Sequence, residues 1–469
     1  MKTPLSLHAP RYPGPSSAEM LDEIARYVIA TPYPFAVDLE ASEGMFLATV
    51  DGQRLFDWAG YFGSKLIGHN HPRLYEADYV RRLVVAANNK VANPDFLTPQ
   101  CLDYYRLLYR LAPRAMQSST LEVYAVNSGA EAVENMMKYL VAKFNAKKRA
   151  RGGSITGRRF LYFDQAFHGR SVYTLGVTQT HDPIATRDFH GLTTSGNIKL
   201  PFPALNTGQS AAWNRQHLDD ALQHVRSVLT QMSDEVVAII VEPIQGAGGQ
   251  RVASPQFFEE LSRLAREFDV YLAFDEVQTG LGPTGKVFAI DHFNLAEPPM
   301  AVAVGKKFGC GAVYMREPLE DVGVLDSTWG GTLADMVRVV QEVQIVEDEG
   351  LIQAASSKGE QLRSGLDELV ARYGNLASNV RGMGLYQGFT LRSPQTKARF
   401  IEIARETFDL LLLGAGAASI RTRPNLSVSQ SEIAHFLELL KGCFEELRRE
   451  DDVPIEYPQE VANEPVEVG

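Results

Sequence analysis

A chain of 469 residues exceeds the domain average of roughly 150 residues and predicts two domains, one of them large. Hydrophobic and charged contents of 45% and 22% exclude global disorder. A net charge of −11 argues against nucleic acid or an anionic membrane as partner, yet leaves room for a small anionic substrate, which needs only one or two local cations.

Residues 1–17 read as an extended arm without the apolar core of a secretory signal. Helical periodicity follows over 18–29, with Met20, Leu21, Ile24, Tyr27 and Val28 on one side. Strands at 45–50 and 54–58 flank Asp51-Gly52, a hairpin signal, and helices are expected at 73–87 and 99–112. From about 120 the pattern alternates: strands at 121–126, 160–163, 236–241, 271–274, 301–304 and 312–315, helices at 129–150, 217–231 and 255–268. Apolar strands between amphipathic helices predict an α/β architecture, a mostly parallel sheet covered on both faces. From about 333 the chain reads as mainly helical, with one strand at 385–391. The expected division is 1–70 as arm and part of a smaller α+β domain, 71–335 as the large domain, and 336–469 as the rest of the smaller one. Cys101, Cys310 and Cys443 show neither a disulfide framework nor metal-ligand spacing, which fits a reduced, cytoplasmic compartment. The longest aliphatic run near the C-terminus, 410–413, is far too short to span a membrane.

Ligands of open parallel sheets bind beyond the carboxyl ends of the strands. Ser128, Phe167, Glu242, Asp275 and Lys306 all fall there. Asn127-Ser128-Gly129-Ala130-Glu131 joins a strand to a helix, and the free N–H groups of that helix start suit a phosphate, or Ser128 is an ordinary N-cap. Asp275 ends a buried strand, where it can pair with a pyridinium nitrogen or cap a loop. Lys306 follows an apolar strand and precedes Gly309 and Gly311. A lysine that must be neutral to form a Schiff base suits such a poorly solvated place, although a surface loop lysine is the commoner fate.

The ordered set is more specific than its parts. The stretch from Leu272 to Gly280, reading Leu-Ala-Phe-Asp-Glu-Val-Gln-Thr-Gly, resembles the signature of the class III aminotransferases of pyridoxal-phosphate (PLP) fold type I. Gly305-Lys306-Lys307-Phe308-Gly309 fills the place of that family's Gly-Lys pair. Gly68-His69-Asn70-His71-Pro72, Phe167-His168-Gly169-Arg170, Val241-Glu242-Pro243, Ser327-Thr328-Trp329-Gly330-Gly331, Arg381-Gly382-Met383-Gly384-Leu385 and Arg421-Thr422-Arg423-Pro424 follow the family order. The resemblance implies a seven-stranded, mostly parallel sheet, PLP held on Lys306 and its ring nitrogen paired with Asp275. It places Ser128, Gly129 and Ala130 at the phosphate, Phe167 on the ring with His168 among the cofactor residues, and Gln278 at the phenolic oxygen. It also implies a homodimer with shared active sites, in which Thr328 reaches the neighbouring subunit's phosphate. Pro283 stands where the family usually has Arg, Pro299 where it has Asp, and Thr332 where it has Asn-Pro.

Within the family, Gly305-Lys306-Lys307, the Thr328 segment and Arg421-Thr422-Arg423-Pro424 are most similar to the L-lysine 6-aminotransferases, although the segment between Gly311 and Ser327 is shorter than in that group. Lysine as donor and 2-oxoglutarate as acceptor are the substrates this resemblance implies, with ornithine, 4-aminobutyrate or another ω-amine as alternatives. Two arginines suit two carboxylates: Arg170 for the distal one, and Arg421 for the one beside the reacting carbon. Arg423 competes for that second role, since both would point the same way in an extended segment. Glu242 is expected to neutralise Arg421 when lysine leaves it without a carboxylate. Lys307 competes with Lys306, and strand alternation would turn only one of the two toward the cofactor.

Two rival readings remain. Gly280-Leu281-Gly282-Pro283-Thr284-Gly285-Lys286-Val287 nearly spells a nucleotide-binding P-loop, but Val287 replaces the Mg²⁺-binding hydroxyl and Pro283 removes an N–H. His69 and His71 have no third ligand nearby, so no metal is expected.

Overall fold

The computed structural model describes residues 11–89, 92–155, 158–179, 196–321 and 323–452. Of the expected arm, residues 1–10 lie outside this range.

Seven strands form the central sheet, in the order Glu122–Val126, Gly311–Met315, Ala301–Val304, Tyr271–Asp275, Val236–Val241, Arg159–Phe163 and Ile198–Leu200. Only Gly311–Met315 runs antiparallel to its neighbours. The other pairings are parallel, with Asp275 opposite Ala303 and Phe274 opposite Val241. Alternation along one strand separates the two faces. Ala301 and Ala303 pack in the core that holds Val133, Met136 and Leu140 of helix Gly129–Ala150, whereas Val302 and Val304 join Phe258 and Leu261 of helix Pro255–Glu267 on the other side. Both faces are therefore dry, which is why these strands are continuous apolar runs and Val236–Val241 is buried at every position.

The helix after the first sheet strand starts where its cap requires. Ser128 Oγ accepts from Glu131 N at 3.2 Å, and Glu131 returns a carboxylate oxygen to Asn127 N at 2.8 Å. Lys147, Lys148 and Arg149 lie in its last turn, complementing the helix dipole.

The expected tail of helices with one strand is richer than predicted. Ala377–Met383, Tyr386–Leu391, Ser419–Arg421 and Leu413–Ala415 make an antiparallel sheet. Leu410–Leu411 adds to the N-terminal hairpin, with Leu410 opposite Phe56. Asp409 adopts a left-handed backbone, φ 50°, which ends helix Pro394–Phe408 and turns the aliphatic run into a strand. Its partner lies more than three hundred residues upstream, so no local pattern announces it. Ile198–Leu200 is three residues long and was likewise invisible to periodicity. Helix Pro15–Ile24 begins and ends earlier than expected.

Candidate active site

Five of the parallel strands end on one edge, and the loops that follow them line a cavity of about 670 Å³. Four of the five strand-end residues, Phe167, Glu242, Asp275 and Lys306, line it, together with Gly129, Ala130 and Gln278. Ser128 does not. Its hydroxyl caps the helix by accepting from Glu131 N, its O–H stays available to a ligand, and the residue is exposed.

Asp275 is held on both oxygens. Val277 N donates to Oδ1 at 2.9 Å, and Oδ2 lies 2.8 Å from His168 Nδ1. His168 is fully buried. Burial alone disfavours its charge, but the hydrogen bond and negative charge of Asp275 outweigh that and raise its pKa. His168 Nε2 has no partner. The pair thus holds the Asp275 carboxylate in a fixed, buried position on the cavity wall.

Lys306 Nζ donates to Phe62 O at 2.9 Å. Burial, then the charges of Arg421 and Arg423, push its pKa down to about 8, so a substantial neutral fraction exists near neutral pH. Strand alternation does not set the directions of Lys306 and Lys307, because the strand ends at Val304 and Lys306 opens a 3₁₀ turn with φ 52°. The two lysines still diverge. Lys307 is buried, and its Nζ reaches Gln278 O at 2.6 Å, Tyr386 Oη at 3.1 Å and Gly63 O at 3.2 Å. Only Lys306 lines the cavity.

The carbonyls that receive both amines come from a turn no motif had marked. Gly60, Tyr61, Phe62 and Gly63 all have positive φ, a single left-handed turn. The flanking glycines make it affordable at its ends, and Asp57 Oδ1 holds Ala59 N and Gly60 N at 2.9 and 2.8 Å. The only sequence signal was the glycine pair three residues apart. Tyr61 and Phe62 line the cavity mouth.

The two arginines separate cleanly. Strand Ser419–Arg421 ends before Arg423, so the shared direction expected of an extended segment fails. Arg423 is fully buried. It donates to Gln250 Oε1 at 2.5 Å, Thr422 O at 2.7 Å and Gln278 Oε1 at 2.8 Å, over the Tyr386 ring at 4.1 Å. Arg421, 8% exposed, lines the cavity with Nε and Nη1 unpartnered. Its pKa is pushed down to about 10 by burial.

Glu242 makes no direct ion pair with Arg421 in this structure, although each feels the other's charge. Among the described residues no carboxylate comes within 4.0 Å of that guanidinium, and Glu242 Oε1 instead accepts from Phe167 N at 2.8 Å. Burial raises the Glu242 pKa to about 8, which weakens its claim as a permanent counter-ion. Arg170 lines the cavity and is exposed. Thr328 is exposed and lies outside the cavity wall.

The rival features are structural. Among the described residues no group of three metal-binding side chains exists. His69 is buried 3.7 Å from Asp57, and His71 pairs with Glu349 at 3.1 Å. The P-loop-like segment is a packed turn, with Lys286 Nζ donating to Asp291 O at 2.6 Å. No helix among the described residues is long and apolar enough to cross a membrane.

Comparison with known proteins decides the family. Residues 28–444 match the family model described as aminotransferase class-III. The L-lysine-epsilon aminotransferase of Streptomyces clavuligerus is 32% identical over 430 residues, 89% of this chain and 92% of that protein. The chain belongs to the class III aminotransferases. The acetylornithine aminotransferase of Gloeobacter violaceus is also 32% identical, over 90% of this chain and 96% of that one. A solved lysine aminotransferase from M. tuberculosis superposes with a TM-score of 0.85 at 30% identity, covering 92% of this chain and 99% of that one.

This class III aminotransferase is a PLP enzyme, and its residues fit the group. The cavity offers the Lys306 amine with its pKa lowered to about 8, a clamped carboxylate for a pyridinium, an aromatic wall at Phe167, and the amides that begin helix Gly129–Ala150. Gly129 must lack a side chain: a Cβ there would meet Val277 Cγ1 at 2.5 Å.

Proposed function

We propose that this enzyme moves the terminal amine of L-lysine to 2-oxoglutarate, giving glutamate and a 6-semialdehyde. The observation that carries the reading is Arg421, a buried guanidinium with two unpartnered nitrogens beside Lys306. Such a cation requires an anionic ligand, and a dicarboxylate acceptor supplies one. The relatives named L-lysine-epsilon aminotransferases favour lysine over other ω-amines as donor.

In this reading Lys306 carries the cofactor, and the bound group supplies an electron sink for the carbon bearing the amine. Asp275 would pair with the ring nitrogen, held in place by His168, while Phe167 would cover the ring. Gly129 and Ala130 would hold the phosphate, and Gln278 would reach the phenolic oxygen. Lys306 Nζ would also hold and move the proton at the reacting carbon. A pKa near 8 lets it both accept and return that proton near neutral pH. Arg421 would orient the carboxylate beside the reacting carbon and Arg170 the distal one.

Glu242 rests on Phe167 N, and we propose that it swings to Arg421 during the lysine half-reaction. Equal relative rates on lysine and glutamate in Glu242→Ala would sink this gate. Residues 71–335 are proposed as the cofactor domain, with 1–70 and 336–469 as the smaller one. The working unit is proposed to be a dimer with Thr328 directed at the partner's phosphate. Exposed Tyr27, Ile29, Phe96, Leu97 and Trp329 offer apolar surface for it. Sedimentation tests the dimer, and a Thr328→Ala protein that keeps wild-type cofactor affinity would refute the shared site.

The deciding experiment mixes the PLP form with lysine, ornithine, 4-aminobutyrate and glutamate and identifies the carbonyl products. Lysine yielding no aldehyde would overturn the donor assignment.

A further inference from the structure

One more cation stands on the cavity wall. Lys397 lies in the first turn of helix Pro394–Phe408, whose start is fixed by Ser393 Oγ accepting from Thr396 N at 3.0 Å. Its stem crosses Gly414, where a Cβ would come within 3.6 Å of Lys397 Cδ and 3.8 Å of Cε. Its Nζ donates to Gly416 O at 2.8 Å, and Gly416 N donates in turn to Ala247 O at 3.0 Å. Gly416 and Ala247 also line the cavity. The ammonium is therefore held at one place, where the loop after Glu242 meets the 414–416 loop.

That ammonium has three N–H groups and gives one to Gly416. Among the described residues no carboxylate lies within 4.0 Å of it. The wall carboxylates Glu242 and Asp275 are themselves engaged, with Phe167 N, and with His168 and Val277 N. Burial lowers the Lys397 pKa, a sign that the charge is partly stripped of water. A fixed cation without a counter-ion on the wall of a substrate cavity acts on whatever charge enters.

We propose that Lys397 is a specificity-determining residue that favours the dicarboxylate acceptor over the cationic amino donor. The inference rests on the functional reading above. 2-Oxoglutarate carries two negative charges and free lysine a net positive one, so the same ammonium attracts the first and repels the second. A role in folding would move both substrates alike.

The test compares steady-state kinetics of the PLP-loaded wild type with Lys397→Met, Lys397→Gln and Lys397→Arg, at low and high salt, alongside thermal unfolding. At low salt the neutral variants should raise KM for 2-oxoglutarate about three- to tenfold and leave KM for lysine equal or lower, with kcat nearly unchanged. Lys397→Arg should stay near wild type, and high salt should shrink the difference, because a half-buried charge in a cavity open to solvent is partly screened over about 10 Å. Both KM values rising together, or KM for 2-oxoglutarate unchanged in melting-competent neutral variants, would overturn the inference while leaving the function intact. A wild type that cannot use 2-oxoglutarate at all would instead overturn the functional reading.

Discussion

Replacing Arg421 by leucine should split the two half-reactions. Its guanidinium has two nitrogens with no protein partner and no carboxylate within reach. A substrate carboxylate that pairs with this guanidinium gains roughly 1.5–3 kcal/mol, so glutamate turnover should fall about 10- to 10²-fold. Lysine places no carboxylate at that point and should lose far less. The same substitution removes the first charge that depresses Lys306, so the pH profile of the lysine half-reaction should move upward. Folding should not suffer, because exchanging an unpaired buried cation for an apolar side chain is neutral or stabilising. Rapid-mixing traces of cofactor absorbance with each amino acid, over a pH series, read the rates, and calorimetry reads stability. Equal losses on glutamate and lysine would refute the assignment of Arg421 to the acceptor's carboxylate.

Three other outcomes follow from the same geometry. Attachment of PLP to apo-protein should accelerate as pH rises through about 8, because the neutral amine of Lys306 is the reactive form and its pKa is lowered to that value; borohydride trapping and peptide mapping should place the pyridoxyl mass on Lys306 and none on Lys307. Glu276 is buried, and its two oxygens accept from Ile290 N at 2.7 Å and from Ala289 N at 3.0 Å. Burial raises its pKa to about 7, above the unfolded value, so its stabilising contribution is full below the unfolded pKa and declines as pH rises through about 7. Glu276→Gln should cost about 1–3 kcal/mol in denaturant titrations, because an amide NH₂ would face one of those donors, and should flatten this stretch of the stability–pH curve. Gly129→Ala should weaken cofactor binding and lower Tm, since its Cβ falls 2.5 Å from Val277 Cγ1, and adding Val277→Ala should restore much of both.

The central sheet was legible because its strands are buried on both faces and its helices are amphipathic. Helix 129–150 was placed to the residue, since Ser128 and Glu131 announce its start and a basic turn its end. The strand-end rule found Phe167, Glu242, Asp275 and Lys306 for the same reason. What stayed hidden depends on distant partners. Nothing near Lys307 says that Gly63, Gln278 and Tyr386 will enclose it. Arg421 and Arg423 are indistinguishable until the strand is seen to stop between them. Lys397 looks like any helix lysine until Gly414 and Gly416 fold beneath it. Leu410–Leu411 found a strand partner at Phe56 that only the completed fold brings near.

Two adjacent amines reading two adjacent carbonyls, Lys306 on Phe62 and Lys307 on Gly63, work like a vernier. Inserting or deleting one residue between Asp57 and Gly63 would shift every pairing by a notch, offering each lysine the wrong acceptor. The length of this stretch is therefore as constrained as its glycines, since a Cβ at Gly60 would meet Arg423 O at 2.1 Å. Length variation belongs instead at an exposed turn such as that at Gly152, around which an added Cβ would meet nothing within 4 Å. An engineer seeking a site for a tag or an inserted domain should choose that turn and leave the spacing of the Gly60–Gly63 turn untouched.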